Sequence, residues 1–162
     1  MLSDIAKEQE IVNNLKDKFG DRIIETKVQR ARRVFVTIDS KSLIEVTKYL
    51  AKEKDYVHLA TISGLDLGKT FGVIYHLIEE NITLSLKVEV PVDDPKLPTT
   101  VKVIPGAELY EREVHDMYGV VFEGHPDLSP LILSDDWPSD LHPLRKKYKL
   151  EDIKAEIEKA KK

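Results

Sequence analysis

From Ile82 to Val90 the chain alternates without a break. Ile82, Leu84, Leu86, Val88 and Val90 are apolar, and Thr83, Ser85, Lys87 and Glu89 between them are polar. A strand with that period buries one face and wets the other, as in an antiparallel sheet. Two further strands are predicted just before it, at residues 56–66 and 70–79, and two earlier ones at residues 22–28 and 33–39. In the last of these Val34, Val36 and Ile38 share a face, and residues 29–32 form the turn. Helical spacing precedes each group of strands. Ile5, Val12, Leu15 and Phe19 predict a helix that Ser3 caps and Gly20 stops. Ser42 and Glu45 read as a capping box opening a second helix, which buries Leu43, Ile44, Val46, Thr47 and Leu50.

After residue 90 the pattern breaks. Pro91, Pro95 and Pro98 mark residues 91–104 as a linker or ordered loop. A short helix follows from Ala107 to Tyr118, ended by Gly119. Residues 120–148 have little periodicity and many turn formers, so they are expected to run extended over a surface. A last helix, 150–161, carries Leu150, Ile153, Ile157 and Ala160 on one stripe and is too short to hold alone in water. The predicted class is α+β: a two-layer α-ββ-α-βββ domain with a mainly antiparallel sheet, followed by a largely extended C-terminal tail. The expected division is residues 1–104 for the domain and 105–162 for the charged helix, the tail and the terminal helix.

Composition narrows the function. The chain has 162 residues, 41% of them hydrophobic, enough for one core. The longest apolar run lies near Phe71–Ile78, well below the roughly 18 residues a membrane helix needs. The N-terminus has no basic stretch leading into an apolar one, so no signal peptide is predicted and a cytoplasmic location is expected. Without cysteine, this chain holds no disulfide and no thiolate-bound iron–sulfur or zinc site. Charged residues reach 33%, while Gln, Asn and Met are scarce, the compositional trend of thermophiles. Residues 1–107 balance sixteen acidic with sixteen basic side chains, whereas residues 108–147 carry nine acidic and four basic, net −5. No basic footprint for nucleic acid exists; the acidic excess points to a protein partner.

Several segments invite chemistry. Gly64–Thr70, GLDLGKT, is one residue short of the phosphate-binding loop, whose backbone N–H groups must wrap the phosphates, and reads better as a hairpin turn at Gly68–Lys69. Asn81-Ile82-Thr83 fits a glycosylation acceptor only by chance, since it opens a strand. Glu111, Glu113, His115, Asp116, His125, Asp127 and His142 offer imidazole and carboxylate ligands, which motivates an alternative reading as a small metal-dependent hydrolase. Their spacing is poor, and no H-E-x-x-H places two imidazoles on one metal. The competing reading is interfacial: Arg112 lies between two glutamates, and its fork suits bidentate pairing with carboxylates. The apolar, turn-rich stretch 119–133 would be a liability on a free monomer. His142-Pro143-Leu144-Arg145-Lys146-Lys147-Tyr148 is a basic patch with two readings, a solvated turn or a clamp in which Arg145 and Lys146 hold acidic groups of a neighbouring subunit.

These residues carry a resemblance. Glu111-Arg112-Glu113-Val114-His115-Asp116-Met117-Tyr118-Gly119, then Phe122, then Gly124-His125-Pro126-Asp127-Leu128, resembles the signature of the 30 kDa subunit family of respiratory complex I. That family includes the related subunits of membrane-bound, energy-converting [NiFe] hydrogenases. His142 to Lys146, HPLRK, is similar to the family's second block, and the α-ββ-α-βββ order agrees with its fold.

The resemblance implies a hydrophilic subunit of the peripheral arm, on the cytoplasmic side of a membrane complex, with no cofactor of its own. Iron–sulfur clusters, and [NiFe] in the hydrogenase type, belong to the partner subunits. Its partners are the large hydrogenase-like or quinone-site subunit and the small iron–sulfur subunit. It further implies no catalytic residues here and a partner-binding set of Glu111, Arg112, Glu113, Asp116, Tyr118, Phe122, His125, Pro126, Asp127, His142, Arg145 and Lys146. Two departures stand out: Ser129-Pro130 where complex I members carry basic residues, and Asp135-Asp136-Trp137-Pro138-Ser139-Asp140 where they approach HPLRK through glycines. With the lack of an N-terminal extension and the thermophile composition, these tilt the expectation toward an archaeal hydrogenase-type complex.

Overall fold

The computed structural model describes residues 5–160. Its elements are α1 (Ala6–Phe19), β1 (Ile23–Arg30), β2 (Arg33–Ile38), α2 (Leu43–Glu53), β3 (His58–Asp66), β4 (Thr70–Glu79), β5 (Ile82–Pro91), β6 (Lys96–Pro98), α3 (Ala107–Tyr118), β7 (Val121–Glu123) and α4 (Leu150–Ala160), the predicted order with two unpredicted short strands, β6 and β7, added. β1 to β5 form one sheet in the order β1-β2-β5-β4-β3. All neighbours are antiparallel except the central pair β2 and β5, which is parallel with Val34 beside Leu84 and Val36 beside Leu86. The sheet is therefore mainly antiparallel, and the α+β class holds.

The apolar face of β5 is buried as its alternation predicts, whereas its polar face is not wet: Thr83, Lys87 and Glu89 are half-buried, and Ser85 is buried against His76 of the neighbouring strand. Ile82, Leu84, Leu86, Val88 and Val90 are buried, beside Phe71, Val73, Tyr75 and Leu77 of β4. Val12, Leu15 and Phe19 of α1, Leu43, Val46 and Leu50 of α2, and Ala107 and Val114 of α3 join them in one cluster. Between β4 and β5 only Glu80 and Asn81 turn the chain, both with positive φ (43° and 66°), the geometry of a tight hairpin.

Some local expectations change. The Ser3 cap lies outside the described residues. The Ser42–Glu45 capping box does not form. A 3-10 turn, Ser40–Ser42, precedes α2, so Ser42 is already helical and its hydroxyl caps nothing; Asp39 caps the 3-10 turn, and Glu45 pairs with Arg22. Glu8, on the inner side of α1, is buried and accepts a 2.6 Å bond from the Arg32 N–H. It steadies the β1–β2 turn, where Arg32 has φ +65°. The stretch 91–104 contains β6, which pairs in parallel with β7 across residue 104, with Leu97 opposite Phe122 and both buried. Three-residue strands are too short to show a period in sequence.

Candidate functional site

α3 is the hub of the C-terminal part. It starts after Pro105-Gly106 and stops at Gly119, whose φ of +72° lets its N–H turn back to His115 O at 2.7 Å. The inner face of α3 bears Glu111, 0% exposed. Its carboxylate accepts bonds from Thr99 Oγ1 (2.5 Å), Thr100 N (2.8 Å), Thr100 Oγ1 (2.7 Å) and Tyr75 Oη (3.4 Å). A buried carboxylate is tolerated when donors surround it in this way. Glu111 thus pins the exit of β6 to the helix. Burial, with the Glu111 carboxylate nearby, pushes the Tyr75 hydroxyl pKa well above its usual value.

Beside it, the His125 side chain is buried, with Nε2 3.1 Å from Glu108 O and 4.0 Å from Glu111 Oε2. His125 Nδ1 accepts the Asp127 N–H at 3.1 Å, which assigns the remaining ring proton to Nε2 and the bond to Glu108 O. Asp127 accepts the Ser129 N–H (2.8 Å) and hydroxyl (3.0 Å), and these bonds hold its carboxyl below the usual carboxylate range.

The outer face holds the tail. Arg112 does not pair with the glutamates on either side of it. Its fork donates to Ser129 O (3.0 Å), Ser129 Oγ (3.0 Å) and Pro130 O (2.9 Å), with Asp127 3.8 Å away. Four residues on, Asp116 Oδ2 accepts the N–H groups of Leu131, Ile132 and Leu133. Sequence reasoning treats Arg112 as a partner for carboxylates; the carbonyls of Ser129 and Pro130, seventeen and eighteen residues away, give no local signal.

HPLRK closes the helix. An α-helix leaves its last four carbonyls without partners. Here His115 O takes the Gly119 N–H, Asp116 O takes His142 Nδ1 (2.9 Å), Met117 O takes the Leu144 N–H (3.2 Å) and Tyr118 O takes Arg145 Nε (2.7 Å). The Arg145 guanidinium also meets the negative end of the helix dipole and lies 5.0 Å from the Phe71 ring centre. Lys146 N donates to Asp66 Oδ2 (2.7 Å). Asp66 Oδ1 accepts the Gly68 N–H (2.8 Å), so GLDLGKT is the expected hairpin turn and also a dock for the tail. Burial alone would raise the Asp66 carboxyl pKa, but the Lys146 and Gly68 N–H donors outweigh it and hold the group below its usual value. Burial lowers the His142 imidazole pKa, outweighing the Asp116 carbonyl bond that favours the charged ring, and the Arg145 charge adds to the lowering.

Two glycines make this closure possible. A Cβ on Gly119 would sit 2.3 Å from both Arg145 Nη2 and His142 Nε2. A Cβ on Gly64 would sit 2.3 Å from the Tyr118 ring. Phe122 is buried and Tyr118 half-buried, while Glu113, Pro126 and the Lys146 side chain face solvent. The partners that sequence reasoning missed are Tyr75, Thr99, Thr100 and Asp66. Among the described residues, no group of three or more His, Asp or Glu is arranged to hold a metal ion. The three histidines nearest α3 each direct a ring nitrogen at a backbone carbonyl: His115 at Val120 O, His125 at Glu108 O and His142 at Asp116 O.

Fold and site define a class: an α+β domain with one charged helix, on which an irregular tail is fastened by side-chain-to-backbone bonds. Residues 36–154 match the family described as respiratory-chain NADH dehydrogenase, 30 Kd subunit, and the chain belongs to that family. It is 36% identical over 154 residues to the C/D subunit of the NADH-quinone oxidoreductase of Proteus mirabilis, covering 87% of this chain and 25% of that protein. It is 34% identical over 142 residues to the C subunit of the F(420)H(2) dehydrogenase of Methanosarcina mazei, covering 85% and 89%. The chain thus spans a quarter of one relative's length and most of the other's. Among solved structures it resembles a polypeptide of the membrane-bound sulfane sulfur reductase, an archaeal respiratory membrane complex, with a TM-score of 0.79, 29% identity, and coverage of 89% of this chain and 86% of that one.

Proposed function

We propose that this chain is a non-catalytic, hydrophilic assembly subunit in the peripheral arm of a membrane-bound, complex I-like oxidoreductase. It docks through α3 and its tail on the large subunit, beside the small iron–sulfur subunit, on the cytoplasmic side. The observation that carries this reading is what the titratable groups of the charged segment do. Glu111, Arg112, Asp116, His125, Asp127, His142 and Arg145 all bind groups of their own chain, and most of those groups are backbone. Residues that look like catalytic material serve to shape a surface. The similar proteins bear names with different redox partners, NADH and quinone in one, F420H2 in another and sulfane sulfur in a third. A shared subunit beneath different redox chemistries is expected to be a scaffold, with iron–sulfur or [NiFe] centres in its neighbours. Among the described residues no helix is long and apolar enough to cross a membrane, which suits attachment through those neighbours.

Deleting the gene and resolving solubilised membranes on native gels tests this. The complex is expected to disappear or to lose its peripheral arm. An intact, fully active complex without this polypeptide would end the proposal.

A further inference from the structure

Three successive backbone N–H groups, of Leu131, Ile132 and Leu133, converge on one oxygen, Asp116 Oδ2, at 2.9, 2.8 and 3.3 Å. Asp116 is itself buried. One turn earlier on α3, Arg112 grips the carbonyls of Ser129 and Pro130. Residues 129–133 are therefore held at two points by charge-assisted bonds, the stronger kind. When successive N–H groups curl around an anion, they form a concave nest. The side chains are then left on the outside, and here Ile132 is 61% and Leu131 37% exposed.

A singly exposed isoleucine on a loose loop is ordinary. An apolar pair fixed in water by a buried carboxylate and an arginine is different. Burying that carboxylate costs free energy that its donors must offset, and in return the free protein leaves Ile132 61% exposed. We infer that Leu131–Ile132 is a displayed anchor, positioned by Asp116, that inserts into an apolar socket with a basic rim on another subunit. The inference rests on the assembly reading above and names the contact that carries it.

Charge selects the occupant. Residues 108–147 carry nine acidic and four basic side chains, and Glu113 and Asp135 are exposed. A second copy of the same surface would set like charges together. An anionic membrane surface attracts basic segments. A protein surface with lysines or arginines around an apolar hollow is the complement.

The test uses the full chain in its native complex, with photoreactive benzoylphenylalanine at position 132. The expected result is one cross-linked product, to another polypeptide of the complex, at a peptide containing lysine or arginine. Cross-linking to lipid, to a second copy of this protein, or to nothing would overturn the inference. Ile132→Glu is expected to melt like wild type as a purified protein, yet to co-purify with the complex at least about tenfold less, the loss of one buried anchor. Ile132→Leu is expected to restore it. In an Asp116→Asn background the cross-link is expected to spread over several peptides, because the anchor is no longer aimed; a single unchanged site removes Asp116 from the proposal. If gene deletion dissolves the complex but Ile132→Glu assembles normally, the anchor is wrong and the assembly role stands. If deletion leaves the complex intact, the assembly role itself falls.

Discussion

The five-stranded body and the C-terminal region around α3 are built on different physics. In the body, apolar side chains exclude water, and hydrogen bonds run mostly along β-ladders and helices. Leu84 is wholly buried between neighbours of the same kind, beside Val34 and Leu77. Around α3, segments without regular structure are fixed by individual side chains that seek out backbone groups. The lesson is that the charge of the ERExHD segment does not mark reactivity. An irregular tail leaves many peptide groups without ladder partners, and each needs one. Carboxylates, imidazole and guanidinium supply them.

The strongest challenge to that contrast is Glu111→Ala. It removes the acceptor for the Thr100 N–H and two threonine hydroxyls inside the protein. Each buried donor left unmade costs about 1–3 kcal/mol, so a loss of at least about 3 kcal/mol is expected in urea unfolding of the purified protein. That is comparable to the roughly 2–5 kcal/mol expected for Leu84→Ala in the body. A loss below about 1 kcal/mol would mean that Glu111 does not organise this region.

Gly119→Ala sharpens the comparison from the other side. The left-handed backbone alone costs a residue with a Cβ about 1–2 kcal/mol, and the new methyl would collide with His142 and Arg145. The expected effect is polarised: the tail lifts while the body stays folded. Limited trypsin digestion should cut at Arg145 to Lys147 in the variant well before it cuts the sheet.

Legibility in the sequence follows the same division. β5 announces itself because its burial is periodic, and α1 and α2 follow from apolar residues at helical spacing. The GLDLGKT turn is readable from its glycines and spacing. The position of α3 and its stop at Gly119 are readable as well. The bonding of α3 is not, because Glu111 is joined to Thr99 and Thr100, Asp116 to residues 131–133, and HPLRK to the helix end some 26 residues upstream. Such bonds have no period. The capping box fails for a local reason, since Asp39 begins a 3-10 turn that places Ser42 inside the helix.

A smaller effect belongs to Arg145→Ala. It uncovers Tyr118 O and removes a cation from the helix C-terminus. About 1 kcal/mol is expected from the lost bond and dipole contact together. Amide exchange should quicken at Leu144 and Lys146 and stay unchanged in β4 and β5. Uniform quickening throughout would show that the closure supports the body as well.

The smallest effect is a pH dependence through His142. Its Nδ1–H donates to Asp116 O, so the neutral ring keeps its lone pair at Nε2, which lies against Gly119 together with the Arg145 guanidinium. Burial disfavours the imidazolium first, and the Arg145 charge adds to that, so the folded pKa falls below 6.5. In the unfolded state the ring titrates at about 6.5. Between those two values the unfolded state binds more protons, so stability is complete above about pH 6.5 and declines as pH falls toward the folded value. His76 is also lowered by burial and declines in the same window, so the measurement must be a difference. Urea unfolding at pH 7.5 and 5.5 should show a smaller drop in His142→Gln than in wild type, with the His76 share common to both. Asp66 and Asp127, whose carboxyls are held low, lose their contributions only as pH falls below their unfolded value of about 3.9, and do not interfere. Equal drops in the two proteins would mean that His142 closes the helix as well charged as neutral, and that the tail is not proton-sensitive at that joint.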